Sequence, residues 1–91
     1  MTDDKKVLMI TKIGCPYCER AKVVLNEALG GKYNDQIELF VRESDEQRFA
    51  ELKEKYRFLT VPTFIDKKTG AVLSDSQKET ITEFMKEATG F

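Results

Sequence analysis

An apolar run, a pair of cysteines and an apolar stripe follow one another between residues 7 and 29. This order constrains the fold more than any other feature of the chain. Val7-Leu8-Met9-Ile10 is a continuous apolar run behind charged residues, as expected of a central strand buried on both faces. It leads into Thr11-Lys12-Ile13-Gly14-Cys15-Pro16-Tyr17-Cys18. Beyond that, Ala21, Val24, Leu25, Ala28 and Leu29 recur at i, i+3, i+4, i+7 and i+8, which makes one helical face apolar. Pro16 suits the first helical turn, where its missing N–H costs nothing, and Gly30-Gly31 is expected to stop the helix. A buried strand therefore turns into an amphipathic helix, with both cysteines of the chain at the junction.

The rest of the chain extends this unit. Ile37, Leu39 and Val41 alternate, with Phe40 on the other face, and predict a second strand. Phe49, Leu52 and Tyr56 share a face of a following helix, which Ser44 is expected to cap through a Ser44-x-x-Gln47 box. Residues 60–65 and 70–74 read as two short strands, and the turn residues Asp66 to Gly70 between them suggest a hairpin. Ser76-x-x-Glu79 offers a second capping box, opening a helix whose Ile81, Phe84, Met85 and Ala88 share a face and which Gly90 can end. The predicted order is β-α-β-α-β-β-α. A parallel pair with a right-handed crossover, then a helix and an antiparallel hairpin, makes a four-stranded mixed sheet flanked by helices, an α/β fold. A length of 91 residues, 41% of them hydrophobic, predicts a single domain over 1–91 with one modest core.

Two thiols this close could hold a metal, lock a loop, or exchange electrons with another disulfide. There is no histidine, so Cys-His catalysis and imidazole metal sites are excluded. Two cysteines alone are also two ligands short of a structural zinc site, and no metal is expected. The opening "MTDDKK" leads into only four apolar residues, too few for a signal-peptide core or a membrane span. A cytoplasmic, reducing setting is the expectation, and there a lone close pair of cysteines favours redox chemistry over a staple. The net charge of −1, with both signs spread along the chain, shows no electrostatic footprint for nucleic acid or an anionic membrane.

Position at the junction favours reactivity. Sites collect beyond the C-terminal ends of strands in open α/β sheets, and a helix N-terminus offers unpaired N–H groups that favour a thiolate. Lys12 can add positive charge. Because the thiolate is the nucleophile in exchange, Cys15, expected to be exposed at the cap, would attack an incoming disulfide. Cys18, one turn inside and shielded, would resolve the mixed disulfide. Free cysteines can instead be inert packing residues. Cys18 alone fits that reading, but Cys15, between Gly14 and Pro16 at a turn, is a poor core position.

These residues resemble a known family. Lys12 and Cys15-Pro16-Tyr17-Cys18 are similar to the active-site stretch of dithiol glutaredoxins, and Thr60-Val61-Pro62 looks like that family's second signature. The resemblance implies a thioredoxin fold over the whole chain and a thiol–disulfide oxidoreductase. It implies Cys15 as nucleophile, Cys18 as resolving thiol, and Pro62 as a cis proline facing them, with the Thr60-Val61 backbone pairing with a substrate peptide. It further implies that Lys12 meets the glycine carboxylate of glutathione and that Tyr17 flanks the groove. Glutathione would be the reducing co-substrate, with no permanently bound cofactor. The implied partners are disulfide-containing proteins such as ribonucleotide reductase, met by a monomer. From the residues alone, Pro62 reads as a trans proline opening an edge strand, Lys12 as a solvated lysine, and Tyr17 as a ring covering the helix end.

The resemblance has departures. Leu73-Ser74-Asp75-Ser76-Gln77 lacks the glycine pair where many glutaredoxins hold the γ-glutamyl end of glutathione, and Pro62 is followed by Thr63-Phe64, more like thioredoxin. The alternatives are therefore a thioredoxin-like reductant served by a flavoprotein reductase, a glutathione-dependent iron–sulfur dimer held through Cys15, and a purely structural partner-binding module.

Overall fold

Strand β1, Val7–Thr11, is buried along its whole length, and its alternation divides the core in two. Val7 and Met9 face one side of the sheet, where they pack with Ala21, Leu25, Tyr33, Phe64, Ile81 and Met85. Leu8 and Ile10 face the other side and pack with Phe40, Phe58 and Ile65, flanked by Phe49, Leu52 and Tyr56. The apolar run reads as a doubly buried strand for this reason. The structure, a computed structural model, describes residues 5–90. Residues 1–4 and 91 of the expected 1–91 domain lie outside the described residues.

Helix α1, Pro16–Val23, follows β1 and then widens into a π turn, Val24–Ala28, where the Leu29 N–H reaches Val24 O at 2.9 Å. Gly30 and Gly31, both at positive φ, end it and turn the chain back. A short 3-10 turn leads into β2, Ile37–Val41. Another, Arg42–Ser44, leads into α2, Glu46–Tyr56. Then come β3, Thr63–Asp66, the two-residue β4, Val72–Leu73, and α3, Lys78–Thr89. The sheet order is β2-β1-β3-β4. β1 pairs parallel with β2, from Val7↔Ile37 to Thr11↔Val41, and antiparallel with β3, with Met9 opposite Phe64. The expected element order and mixed sheet are both present. Among the described residues, no helix is long and apolar enough to cross a membrane.

Three local expectations are corrected. The cap of α2 is Asp45, whose carboxylate accepts from the Arg48 N–H at 3.0 Å. Ser44 belongs to the preceding 3-10 turn and donates to Val41 O at 2.6 Å. The cap position of α3 is Gln77, with no side-chain bond of its own. Asp75 serves that end instead, accepting from the Ser76 N–H at 2.7 Å and, through its other oxygen, from Thr80 Oγ1 at 2.8 Å. The third strand starts at Thr63 rather than residue 60. Pro62 has no N–H to offer a ladder, and Thr63 Oγ1 donates back to Thr60 O at 2.6 Å, closing a bend before the strand.

Helix α2 ends on Arg57, which is left-handed at φ 59° although it carries a side chain. Its N–H still closes on Lys53 O at 2.8 Å. Glycine takes this conformation without the Cβ penalty. Arg57→Gly is therefore expected to stabilise the protein by about 0.5–1 kcal/mol after the entropy of glycine in the unfolded chain is subtracted. The result would be read as a rise in Tm of a few degrees. A lower Tm would contradict it.

Candidate active site

The turn between β1 and α1 puts both cysteines at the C-terminal end of the central strand. Gly14 takes φ +73°, a left-handed conformation that a side chain disfavours, and swings the chain from the strand to the helix. Cys15 is the N-cap of α1 and stays extended, and Pro16 occupies the first helical turn. The Cys18 N–H donates to Cys15 Sγ at 3.1 Å. This is the capping bond a serine would make, made here to sulfur, and it stabilises a thiolate at that position. The two sulfurs lie at disulfide distance, with Cα atoms 5.2 Å apart, inside the range a disulfide bridges.

Cys18 is 1% exposed, as expected of the inner thiol, but Cys15 is only 4% exposed. This corrects the expectation of an exposed cap residue. Val61 O covers its sulfur from 3.7 Å away, and access is along a groove rather than from open solvent. The Val61–Pro62 bond is cis, as the resemblance implied, and the second signature thus faces the first across 46 residues of chain. Thr63 holds this approach in place. Its hydroxyl reaches Thr60 O and also lies 2.8 Å from Ser74 Oγ.

Two concavities meet at this point. A groove of about 450 Å³ is lined by Lys12, Gly14, Cys15, Pro16 and Tyr17 on one side and by Leu59, Thr60 and Val61 on the other. Arg42, Phe49, Lys53 and Phe58 complete it. A smaller pocket of about 260 Å³ shares Tyr17, Thr60 and Val61 with the groove and continues past Pro62 to Arg20, Ser74, Asp75, Ser76 and Gln77. Six of the seven expected site residues, Lys12, Cys15, Tyr17, Thr60, Val61 and Pro62, line one or both, while Cys18 is buried and lines neither. Tyr17, 63% exposed, and Leu59, 85% exposed, put large apolar side chains on the rim. Among the described residues, no group of three or more His, Cys, Asp or Glu side chains is placed to hold a metal ion. A cleft of about 520 Å³ at the opposite end of β1, between Lys5, Lys6, Lys67, Lys68 and the end of α3, contains neither cysteine.

Sequence reasoning did not place Arg42, Lys53, Phe58 or Leu59 at the site, and it took Phe49 only as core. Arg42 stacks its guanidinium over the Phe49 ring at 5.0 Å and pairs with Glu46 at 3.1 Å. The available signal was position, since Arg42 directly follows β2 at the strand end where sites collect.

Asp75 joins the site to the start of α3. Its carboxyl is held below the ordinary aspartate range, first by the Thr80 hydroxyl, then by the Ser76 and Gln77 N–H groups and the Arg20 charge, while burial opposes them. A carboxyl held low in the folded state contributes stability above its unfolded pKa, and the contribution is lost as pH falls through the folded value. Asp75→Ala is expected to cost about 1 kcal/mol at neutral pH, the scale of a lost helix cap. The gap from wild type should close as pH falls below about 4. Thermal unfolding of both proteins from neutral to acid pH tests this, and a gap that widens in acid would contradict it.

A family model described as glutathione S-transferase, N-terminal domain, matches residues 10–88, from within β1 to near the end of α3. Among solved structures, the chain is similar to the germline-specific thioredoxin protein Deadhead (Thioredoxin-1) from Drosophila melanogaster. That likeness has a TM-score of 0.63 and 25% sequence identity, over 94% of this chain and 83% of the other. No curated protein sequence matches. The α/β architecture is the thioredoxin fold, and a cysteine pair at disulfide distance within it points to thiol–disulfide redox chemistry.

Proposed function

The chain belongs to the family of glutathione S-transferase N-terminal domains, and from that premise we propose that it is a dithiol oxidoreductase of the glutaredoxin type. It reduces protein disulfides or glutathione mixed disulfides through Cys15 and Cys18, and glutathione regenerates it. The observation that carries this reading is the Cys18 N–H on Cys15 Sγ at a helix cap, with Val61 O facing the same sulfur.

In the reaction, the Cys15 thiolate attacks one sulfur of the substrate disulfide, and the other sulfur leaves as a thiolate. Cys18 then attacks Cys15 Sγ, the second substrate thiol leaves, and the Cys15–Cys18 disulfide closes. Two electrons have passed to the substrate. Two glutathione thiols return them by the same exchange in reverse and leave as glutathione disulfide. The capping N–H lowers the cost of the Cys15 thiolate both as attacker and as leaving group, and burial of Cys18 keeps that thiol for the internal step.

The paired concavities support glutathione. The tripeptide carries a carboxylate at each end and an ammonium at one. Lys12 lies on one side of Val61, and Arg20 with Asp75 on the other. Asp75 already accepts three hydrogen bonds, but a carboxylate has about four lone-pair sites, so one remains for an ammonium. We take the setting to be the cytoplasm, where glutathione keeps thiols reduced, and the working form to be a monomer.

The likeness to a thioredoxin favours a second reading, in which a flavoprotein thioredoxin reductase recycles the dithiol. The potentials of the two classes differ by about 40–70 mV, within reach of a few hydrogen bonds. Turnover of a disulfide substrate with glutathione and glutathione reductase, set against turnover with thioredoxin reductase, separates them. Turnover with the first supports the glutaredoxin reading. Turnover with thioredoxin reductase alone would replace it.

A further inference from the structure

The parallel ladder between β1 and β2 ends at Thr11↔Val41. Two residues further on each strand, at the same height, a side chain supplies one more rung. Glu43 Oε1 accepts the Ile13 N–H at 3.0 Å. The loop it reaches is thinly held otherwise. Lys12, Ile13 and Gly14 are three consecutive exposed residues between the buried Thr11 and Cys15, and Ile13 is 71% exposed, so its side chain does little to anchor the turn.

The opposite end of this bond is firm. Glu43 lies in the 3-10 turn Arg42–Ser44, which Ser44 ties to Val41 O and which the Asp45 N–H closes on Arg42 O. The Glu43 carboxyl is held below the ordinary glutamate range, chiefly by the Ile13 N–H, with help from the charges of Arg42 and Lys12. It is therefore an ionised acceptor at neutral pH. Glu43 does not itself line the groove, whereas Lys12, Gly14 and Arg42 do.

We propose that Glu43 is a positioning residue of the dithiol centre, which holds the Ile13–Gly14 turn in the conformation that forms one wall of the substrate groove. The inference rests on the dithiol reading and deepens it. It assigns Glu43 to docking and not to the reactivity of the thiol, because Cys15 Sγ receives its hydrogen bond from Cys18 within α1. A loose turn must be ordered each time substrate binds, and that ordering entropy is subtracted from the binding energy.

The test compares Glu43→Ala with Glu43→Gln, whose amide oxygen can still accept. Three quantities are measured: KM and kcat for a glutathione mixed disulfide, the alkylation rate of reduced Cys15 by iodoacetamide, and amide exchange at Ile13. Glu43→Ala is expected to raise KM roughly five- to tenfold, the scale of one net hydrogen bond, and to speed Ile13 exchange. Alkylation, which needs no docking, should not fall more than about twofold, since it follows the state of the thiol and its access, and a looser wall does not close the groove. Glu43→Gln should recover most of the loss in KM and in Ile13 protection. A wild-type KM in Glu43→Ala overturns the proposal, as does a Glu43→Gln protein no better than Glu43→Ala. Alkylation that falls in step with turnover would also overturn it, because the thiol itself would then be at fault. Turnover of the wild-type protein is the separate control. Its absence with both glutathione and thioredoxin reductase overturns the dithiol reading and this inference with it, whereas normal wild-type turnover beside an unchanged Glu43→Ala overturns only the role of Glu43.

Discussion

Cys15→Ser is expected to reduce disulfide-reductase turnover by roughly 10³-fold or more, the scale on which removing a covalent nucleophile acts. A serine can accept the same N–H bond from Cys18 that the sulfur accepts at 3.1 Å, so the helix cap and the fold should survive. What is lost is the thiolate, since an alcohol is not ionised under these conditions and forms no mixed disulfide. Cys18→Ser should behave differently. It leaves the attacking sulfur in place and removes the buried resolving thiol, which is 1% exposed. That protein should still exchange with glutathione mixed disulfides one thiol at a time, but it should stall as a trapped adduct on a substrate disulfide that needs both thiols. Coupled turnover and intact-mass detection of the adduct distinguish the two variants. Full activity in Cys15→Ser, or an adduct that forms on Cys18 in its absence, would remove the mechanism.

The largest expected effect on stability is that of Phe64→Ala. Phe64 is fully buried, stands opposite Met9 on one side and Leu73 on the other in the sheet, and meets the Phe84 ring of α3 at 6.2 Å. Its removal leaves a cavity where the central strands and α3 come together, with a cost of about 3–5 kcal/mol. A small domain has about 5–15 kcal/mol in total, so a large share of the margin would go and Tm should fall on the order of 20 °C. Urea unfolding should show a lower midpoint with an unchanged slope, the mark of a change in stability rather than in the unfolded chain. A midpoint within error of wild type would mean that the site collapses around the gap and that Phe64 does not anchor the core.

The parts of the fold that could be read from the chain are those carried by periodicity. Val7 to Ile10 read as doubly buried because both faces of one strand are apolar, and the stripe of α3 follows the helical repeat, whereas the stripe read for α1 runs into the π turn, which leaves Ala28 exposed. The misread caps lie where neighbouring residues have the same capacity. Ser44 and Asp45 can both cap a helix, as can Asp75 and Ser76. The difference between them is where the preceding turn leaves each side chain, and that depends on contacts made elsewhere. Arg57 carried no signal at all, because a left-handed arginine is tolerated by its surroundings and not favoured by its own type.

The site divides along the same line. A cysteine pair at a strand-to-helix junction is a local fact. Its chemistry follows from local physics, since a helix N-terminus offers N–H groups wherever it occurs. The sequence alone determined that both cysteines stand at a strand-to-helix junction, and which residue classes the lack of histidine excludes. Only the tertiary structure decided that Cys15 is buried beneath Val61 O, that Arg42, Lys53 and Leu59 share its groove, and that Glu43 reaches Ile13. Those contacts join residues about 30 to 46 positions apart, and they exist because β1 lies between β2 and β3. Strand order brings the loops after β1 and β2 and the segment before β3 to one edge of the sheet, and no pattern within any one of them encodes that neighbourhood.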